Sequence, residues 1–282
     1  MSSRLGEVAQ HLATTRELAG VIAAMRGIAA ARSREAQQRL LGVRAYAATL
    51  GQAIGEGLGL LGESERPAPL RNGMRNHLLL VFCAEQGFVG TFNERLLAVA
   101  AERLQALPGD LLVVGARGQI SAAEHGLRAV WSAPMPIHPD EVQALAGRIA
   151  EAIYARLDPQ VPTRVSLVHG VPGQPDGRDV LARSLLPFDY SRFPIARSGR
   201  PPLVNLEQGQ LVAQLAEEYV YAELCEALML SFAAENEARM HAMIAAQENI
   251  GRRREELQEQ FRRIRQDEIT DEIIELSSQR LF

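Results

Sequence analysis

The stretch QLVAQLAEEYVYAELCEALML, residues 210–230, opens the segment that decides the fold. From there to residue 282 the chain has no proline and one glycine, Gly251. Apolar side chains recur in steps of three and four, the spacing of one helix face. Such a helix would measure about 110 Å, whereas a compact globule of this chain length has a radius of gyration of roughly 19 Å. We therefore expect the helix to project and to need a partner. The apolar positions are Leu211, Leu215, Ala222, Cys225, Met229, Phe232, Met240, Met243, Ile250, Leu257, Phe261, Ile264 and Ile269.

The N-terminal segment supplies that partner. Its apolar residues have a similar spacing, and the first proline of the chain is Pro67. Two amphipathic helices at opposite ends of one chain predict an antiparallel coiled coil. Alanine occupies many of these positions, which would let the two helix axes approach closely. The N-terminal positions are Leu5, Val8, Leu12, Thr15, Ala19, Ile22, Ala29, Ala36, Leu40, Val43, Ala47, Leu50 and Ile54.

The composition argues against several classes of protein. The net charge of -4 gives no basic signature for nucleic-acid binding. No apolar run approaches the roughly 18 residues of a membrane-spanning helix, so we expect no direct membrane insertion. All 30 basic residues are arginine, which excludes lysine chemistry such as a Schiff base or a Walker A loop. Cys83 and Cys225 are expected to be buried apolar residues in a reducing compartment.

Between the terminal helices the pattern changes to short apolar runs. Runs at 77–83, 111–115 and 164–168 predict buried strands, and windows at 93–107, 118–125 and 139–157 predict helices. This alternation predicts a small parallel, Rossmann-like α/β domain. We predict four parts: an N-terminal coiled-coil helix at 1–60, the α/β domain at 75–170, a loop or irregular β connection at 171–207, and a C-terminal coiled-coil helix at 208–282.

No self-contained active site can be recognised. The turn at 85–93 contains Gly87 and Gly90 and could present backbone N–H groups to a phosphate. Its spacing matches neither G-x-G-x-x-G nor Walker A, so the favoured interpretation is that the glycines permit a tight strand-to-helix turn. The six histidines have no metal-ligand spacing, and no nucleophile motif is present. We expect no catalytic residue, no metal and no cofactor.

Charged residues are concentrated at 252–265 of the C-terminal helix. One interpretation is a solvated helix face stabilised by pairs such as Arg252 with Glu256. The other is a shaft surrounded by charged loops of a partner. The residues alone leave both interpretations open.

Five segments carry a family resemblance. Residues 23–32, AAMRGIAAAR, are similar to the motif Ala-Met-x-Met-Val-Ala-Ala-x-Lys. Residues 44–47, RAYA, are similar to Arg-Pro-Tyr-Ala. Residues 85–93, EQGFVGTFN, are similar to Asp-Arg-Gly-Leu-Cys-Gly-Gly-Leu-Asn. In the C-terminal helix, residues 231–243, SFAAENEARMHAM, are similar to Ser-Glu-x-x-Ala-Arg-Met-x-Ala-Met, and residues 265–273, RQDEITDEI, to Arg-Gln-x-x-Ile-Thr-x-Glu-Ile. The chain thus resembles the gamma subunit of F-type ATP synthases over essentially its whole length.

Some positions depart from the family pattern. Gly27 stands where the family usually has a second methionine, and Phe88 and Val89 replace Leu-Cys. These departures favour a divergent member, such as one from an alternative, N-type, sodium- or proton-linked F-type complex.

The resemblance implies a rotor shaft that turns inside a ring of alpha and beta subunits. It would couple ATP synthesis or hydrolysis to proton or sodium translocation, as a non-catalytic subunit at the cytoplasmic face of a bacterial inner membrane. The implied contacts to the alpha/beta ring are Met25, Arg239, Arg265, Gln266 and Thr270. The implied foot, which meets the epsilon subunit and the membrane c-ring, comprises Tyr46, Tyr219, Tyr221 and Glu223.

Two alternatives remain at this stage. A stand-alone nucleotide-binding α/β protein would bind its ligand at residues 87–93. A structural coiled-coil spacer would have no need for the arginine motifs at 239 and 265–266.

Overall fold

The computed structural model describes residues 2–67, 76–158, 160–173, 179–195 and 202–279. The chain divides into two compact units. One comprises residues 1–29 and 239–282, and the other comprises residues 30–238. Residues 68–75, which lead into the predicted α/β domain, and parts of the predicted irregular connection lie outside the described residues, as do the last three residues. The four predicted domain boundaries therefore stay a prediction.

Two long helices contribute to both units: α1, Ser2–Leu60, and α5, Gln208–Gln279. Three shorter helices lie in the larger unit: α2, Phe92–Ala106, α3, Ala116–Glu124, and α4, Val142–Tyr154. Short 3-10 turns occur at Pro139–Glu141 and Tyr190–Arg192. The predicted long terminal helices and the helices between the strands are thus present.

The larger unit contains a five-stranded sheet. Its strands are β1, Asn76–Phe82, β2, Asp110–Val114, β3, Ala129–Ala133, β4, Thr163–Gly170, and β5, Val180–Leu186. The order is β3-β2-β1-β4-β5, with β1 to β4 parallel and β5 antiparallel to β4. The predicted mixed α/β fold is confirmed, and β1 to β4 are parallel as expected for the predicted α/β domain. The antiparallel β5 lies in the segment expected to be a loop or an irregular β connection.

The central strand β1 is buried on both faces because its side chains alternate between two apolar clusters. Leu78, Leu80 and Phe82 pack with α4 and with residues of α1 and α5. Leu79 and Val81 pack with α2 and α3 on the opposite face. The continuous apolar run that predicted this strand therefore has a direct structural cause.

In the larger unit α1 and α5 run antiparallel. Arg44 of α1 pairs with Glu226 of α5, and further along α1 the cluster around Ile54 includes Val212. Residue numbers therefore rise along α1 in the direction in which they fall along α5.

In the smaller unit the same arrangement holds. Val8 and Leu12 pack with Leu257, and Arg26 donates a hydrogen bond of 2.8 Å to Gln247. Ile264 is the last residue of α5 in this cluster, and Ile269, predicted to face the partner helix, is 49% exposed. The apolar spacing in α5 therefore continues beyond the residues that pack against α1.

Both cysteines are buried and free. Burial raises the pKa of the Cys83 thiol to about 12 and that of Cys225 to about 11, which keeps both thiols protonated and unreactive. Within the described part of the chain, no helix is both long and apolar enough to cross a lipid bilayer.

Candidate functional site

Three of the predicted ring-contact residues lie on the exposed last part of α5. Arg265, Gln266 and Thr270 are all exposed. The Thr270 hydroxyl donates a 2.9 Å hydrogen bond to the Gln266 carbonyl, which satisfies the hydroxyl within the helix. The Arg265 guanidinium and the Gln266 amide therefore present their polar groups to the surroundings.

The other two predicted ring-contact residues are less accessible. Met25 is half-buried on α1. Arg239, at the start of the smaller unit's part of α5, is only 5% exposed. A buried guanidinium must be hydrogen-bonded within the protein, so Arg239 is better placed to hold the helix pair together than to reach a partner.

The predicted foot residues lie in the larger unit, where α1, α5 and the segment after β5 meet. Tyr46 of α1 is exposed, and its hydroxyl donates a 2.6 Å hydrogen bond to the Glu218 carboxylate of α5. That hydrogen bond raises the pKa of the Tyr46 phenol above its usual value. Tyr46 thus ties the two long helices together at the surface.

Glu223 is a buried carboxylate surrounded by arginines. It is 4% exposed and accepts a 2.9 Å hydrogen bond from Arg192, while Arg183 lies 3.7 Å away. Arg183 also donates a 2.8 Å hydrogen bond to the Glu223 carbonyl and lies 3.8 Å from Glu226. Because a buried charge is costly unless it is paired, these contacts fix the segment 183–192 against α5.

An aromatic cluster completes this region. The Tyr219 ring packs edge-on against Phe193 and Phe188, with centroid separations of 4.9 and 5.7 Å. The Arg192 guanidinium lies 5.5 Å from the Tyr219 ring centroid, a cation–π geometry. Tyr221, on another face of α5, donates to the Gln143 carbonyl at 3.1 Å, and burial raises its pKa to about 12. Of the four predicted foot residues, Tyr46 is the most open to a partner.

Glycines of α1 allow the segment after β5 to cross this helix. A methyl group at Gly55 would lie 2.4 Å from the Pro194 carbonyl oxygen, and one at Gly51 would lie 3.2 Å from the Phe193 ring. At Gly55 only hydrogen leaves room for the crossing, because the obstacle is backbone, whereas at Gly51 the Phe193 ring would have to shift by a few tenths of an ångström. The residues 188–194 therefore form a strap, which packs directly on the backbone of α1.

Three residues of this region were not among the predicted site residues: Arg44, Arg183 and Arg192. Arg44 belongs to the RAYA motif and was recognisable from it. Arg183 and Arg192 lie in the segment expected to be irregular, where no periodicity marks them. Glu223 directly follows the stripe position Ala222, and a carboxylate next to a predicted buried face was the available signal that arginines had to be nearby.

The glycine turn at 85–93 serves internal contacts. Glu85 accepts hydrogen bonds from the backbone N–H groups of Ala116, at 3.0 Å, and Met135, at 2.8 Å. Asn93 accepts one from Ala84 at 2.9 Å. A carboxylate of the protein itself thus occupies the N-terminus of α3, where a phosphate would otherwise be favoured.

The crevice in which doubly wound sheets bind ligands is filled by α5. In this sheet the strand order reverses between β1 and β4, and such proteins bind ligands at the carboxyl ends of those strands. Here Ser231 of α5 donates to the Phe82 carbonyl at 2.8 Å and accepts from the Gly170 N–H at 3.2 Å. A methyl group at Gly170 would lie 2.8 Å from the side chains of Ala234 and Phe92. The site is therefore packed with the protein's own helix.

His169 lies beside this crevice as a fully buried histidine. Its Nδ1 lies 2.9 Å from the Gly170 carbonyl oxygen, and burial lowers its pKa to about 4. The imidazole is therefore neutral at physiological pH, with Nδ1–H as the donor to the carbonyl. This is a structural histidine, and no cluster of three potential metal ligands occurs among the residues described.

Comparison with known proteins gives a consistent result. A family model described as ATP synthase matches residues 4–278. The ATP synthase gamma chain of Bdellovibrio bacteriovorus is 24% identical over 287 residues, with 97% of each chain covered. That of Fuscovulum blasticum is 26% identical over 292 residues, again with 97% of each covered.

Solved structures agree on the fold. A chain of the Euglena gracilis mitochondrial ATP synthase rotor gives a TM-score of 0.65 at 12% identity, covering 95% of this chain and all of that chain. A chain of the Tetrahymena thermophila mitochondrial ATP synthase central stalk and c-ring gives 0.59 at 19% identity, covering 80% and 99%. At these identities the likeness establishes shared architecture.

Proposed function

The chain belongs to the ATP synthase family as a gamma chain, the central rotor stalk, and from this membership we propose that it turns inside a ring of alpha and beta subunits. The rotation couples ATP synthesis or hydrolysis in the ring to proton or sodium translocation by the membrane sector. The observation that carries the proposal is the family match over residues 4–278, which includes both long helices and the sheet between them.

The mechanism follows from the asymmetry of a shaft. Three catalytic sites around one asymmetric shaft each meet a different face of it at any moment. Differential contact of this kind shifts each site toward a different conformation, and rotation passes the conformations around the ring. The chain itself contributes contact surface and no reacting group.

Arg265 and Gln266 are the proposed contacts to the ring, because both are exposed on the part of α5 that extends past the cluster around Leu257. A guanidinium can bind a partner carboxylate with two parallel hydrogen bonds. Thr270 and Met25 contribute smaller contacts. Arg239, being buried, acts through the packing of the helices.

The foot is proposed to meet the epsilon subunit and the membrane c-ring. Tyr46 and Tyr219 supply accessible surface there. Glu223 and Tyr221 are turned inward, so they hold Arg192 and the α5–α4 packing in place rather than touching a partner. The complex would sit at the cytoplasmic face of a bacterial inner membrane, with the chain attached peripherally.

The stand-alone nucleotide-binding alternative is disfavoured by the filled crevice at Ser231 and by the Glu85 carboxylate at the start of α3. The structural-spacer alternative leaves the exposed Arg265 and Gln266 without a purpose. The rotor proposal accounts both for the filled crevice and for the exposed Arg265 and Gln266.

Reconstitution tests the proposal. The chain is co-expressed with the alpha and beta subunits of its own organism, and complexes are separated by gel filtration and assayed for ATP hydrolysis. The expected result is one complex that contains all three chains and hydrolyses ATP. A chain that elutes apart from an assembled, active alpha/beta ring would contradict the proposal.

A further inference from the structure

The last part of α1 is rich in glycine for a helix. Residues 51–60 contain four glycines, at positions 51, 55, 57 and 59, whereas the rest of α1, from Ser2 to Leu50, contains only four more. Each glycine lowers the tendency of a segment to be helical by roughly fourfold relative to alanine. Four of them in so short a segment make this end of the helix weak by itself, so contacts with other parts of the chain must keep it helical.

Those contacts come from the close packing that the glycines permit. A methyl group at Gly57 would lie 2.9 Å from the Val212 side chain, and methyl groups at Gly51 and Gly55 would meet the strap, residues 188–194. By contrast, a methyl group at Gly42, earlier in α1, would have nothing within 4 Å. The glycines that weaken the helix end are therefore the ones that let the strap and α5 approach it.

Apolar packing joins the strap to the helix end. Phe193 of the strap lies in one cluster with Ile54 and Leu58 of α1. Ile54 is fully buried and Leu58 is nearly so. Release of the strap would expose these side chains to water, and unwinding of the helix end would remove the surface on which Phe193 packs. Each part is therefore stable only while the other is in place.

An ion pair fastens the strap to α5. Arg192 donates a 2.9 Å hydrogen bond to the buried carboxylate of Glu223, and its guanidinium lies 5.5 Å from the Tyr219 ring centroid. The Arg192 side chain is 43% exposed, so water has access to it. The strap is thus held to α5 through Arg192 and to α1 through Phe193.

We propose that the strap and residues 51–60 form a latch that opens and closes as one unit. In the closed form Arg192 is paired with Glu223, and α1 is helical to Leu60. In the open form the strap is released, and the chain from Gly51 onward loses its helical structure while the sheet stays folded. Local cooperative units that open in this way are common in proteins.

The latch goes beyond the proposed function, because it is a change of shape within the isolated chain. It gives the end of α1 two forms. A subunit that covers the closed strap would bind that form better and would shift the chain toward the complete helix.

Amide hydrogen exchange of the full chain, followed by mass spectrometry, tests the latch. The N–H groups of Ser191 and Phe193 donate hydrogen bonds of 3.0 and 3.2 Å within the strap, so their exchange reports its opening. The variant R192Q removes the ion pair to α5. R39Q is the matched control, because the Arg39 side chain is 41% exposed and pairs with Glu35 elsewhere on α1.

The variant R192Q should speed exchange at least fivefold both in the strap and in residues 51–60, and leave β1 unchanged. R39Q should leave exchange unchanged in all three segments. Faster exchange of the strap alone in R192Q would overturn the inference, because the helix end would then be stable without the strap.

A substitution in the helix end provides the second test. G59A strengthens the helix at an exposed position and leaves the strap unaltered. If the two parts open together, exchange slows roughly fourfold in the strap as well as in residues 51–60. G42A makes the same change elsewhere on α1 and should leave exchange of the strap unchanged.

Slower exchange in residues 51–60 of G59A with an unchanged strap, or no change in either segment, contradicts the latch. If R192Q speeds exchange in β1 as well, that variant has lost the whole fold, and the comparison of G59A with G42A decides alone.

Discussion

Ser231 and Phe82 are joined by a buried 2.8 Å hydrogen bond that fastens the long helix α5 to the carboxyl end of the central strand β1. The same hydroxyl accepts from the Gly170 N–H, so one side chain bridges two neighbouring strands. Replacing it with S231A leaves a buried carbonyl and a buried N–H without this partner. We expect a loss of about 2 kcal/mol in the free energy of unfolding, measured with urea. S184A is the control, since that exposed hydroxyl bonds only a local carbonyl, and it should change stability by less than about 0.5 kcal/mol.

The glycines of α1 should respond to alanine with opposite signs. G55A places a methyl group 2.4 Å from the Pro194 carbonyl oxygen, so the strap must move, at a cost of about 1–3 kcal/mol. G42A meets nothing within 4 Å and should stabilise the helix by up to about 1 kcal/mol. Thermal unfolding of both variants checks the pair. Equal effects of the two substitutions would mean that the strap does not pack on α1 as described.

Acidification should destabilise the fold through His169. Its pKa is about 4 in the folded chain and about 6.5 when unfolded. Between pH 6.5 and 4 His169 is protonated in the unfolded chain but stays neutral in the folded chain. The free energy of unfolding therefore falls as the pH drops from 6.5 to 4. The full effect is on the order of 3 kcal/mol. His77, whose pKa burial also lowers, acts in the same direction.

Urea unfolding at pH 7, 6 and 5 measures this dependence. The variant H169Q is less stable at pH 7 but should lose less stability between pH 7 and 5 than the wild type does. Parallel pH curves for the two proteins would assign the acid sensitivity to other groups.

Removal of the exposed polar groups at the end of α5 should weaken coupling. The double variant R265A/Q266A is expected to fold normally, because both side chains are exposed. In the reconstituted complex we expect ATP hydrolysis to fall about tenfold, since one charge-assisted contact contributes about 1.5–3 kcal/mol. R253A/Q260A removes the same residue types from exposed positions and serves as control. Normal turnover of R265A/Q266A would exclude these two residues from the contact.

The long helices and the central strands could be predicted from sequence because each buries a full periodic set of side chains. Every N-terminal position named for the stripe is buried or half-buried, from Leu5 to Ile54. On the C-terminal helix the pattern fails at Ile269, where apolar spacing continues beyond the residues that pack against α1. Periodicity indicates which face is apolar and carries no information about where its partner stops.

The edge strands were missed for a related reason. β3 and β5 each lie at one end of the sheet and are only partly buried, so neither has a continuous apolar run. The arginines around Glu223 were missed because both lie in the segment expected to be irregular, 31 and 40 residues before Glu223, where no periodicity marks them. The RAYA motif located Tyr46 and the family resemblance implied Glu223, but only the fold shows that Tyr46 is accessible and that Glu223 is enclosed.

The contact between Leu12 and Leu257 can form only after most of the chain has been synthesised. These partners are separated by most of the chain, and at roughly 5–20 residues per second a ribosome needs on the order of 10–50 s to pass from one to the other. Throughout that interval the apolar residues at the start of α1 lack the α5 residues that bury them in the folded chain. The newly synthesised chain therefore exposes these apolar residues until the ribosome has passed Leu257.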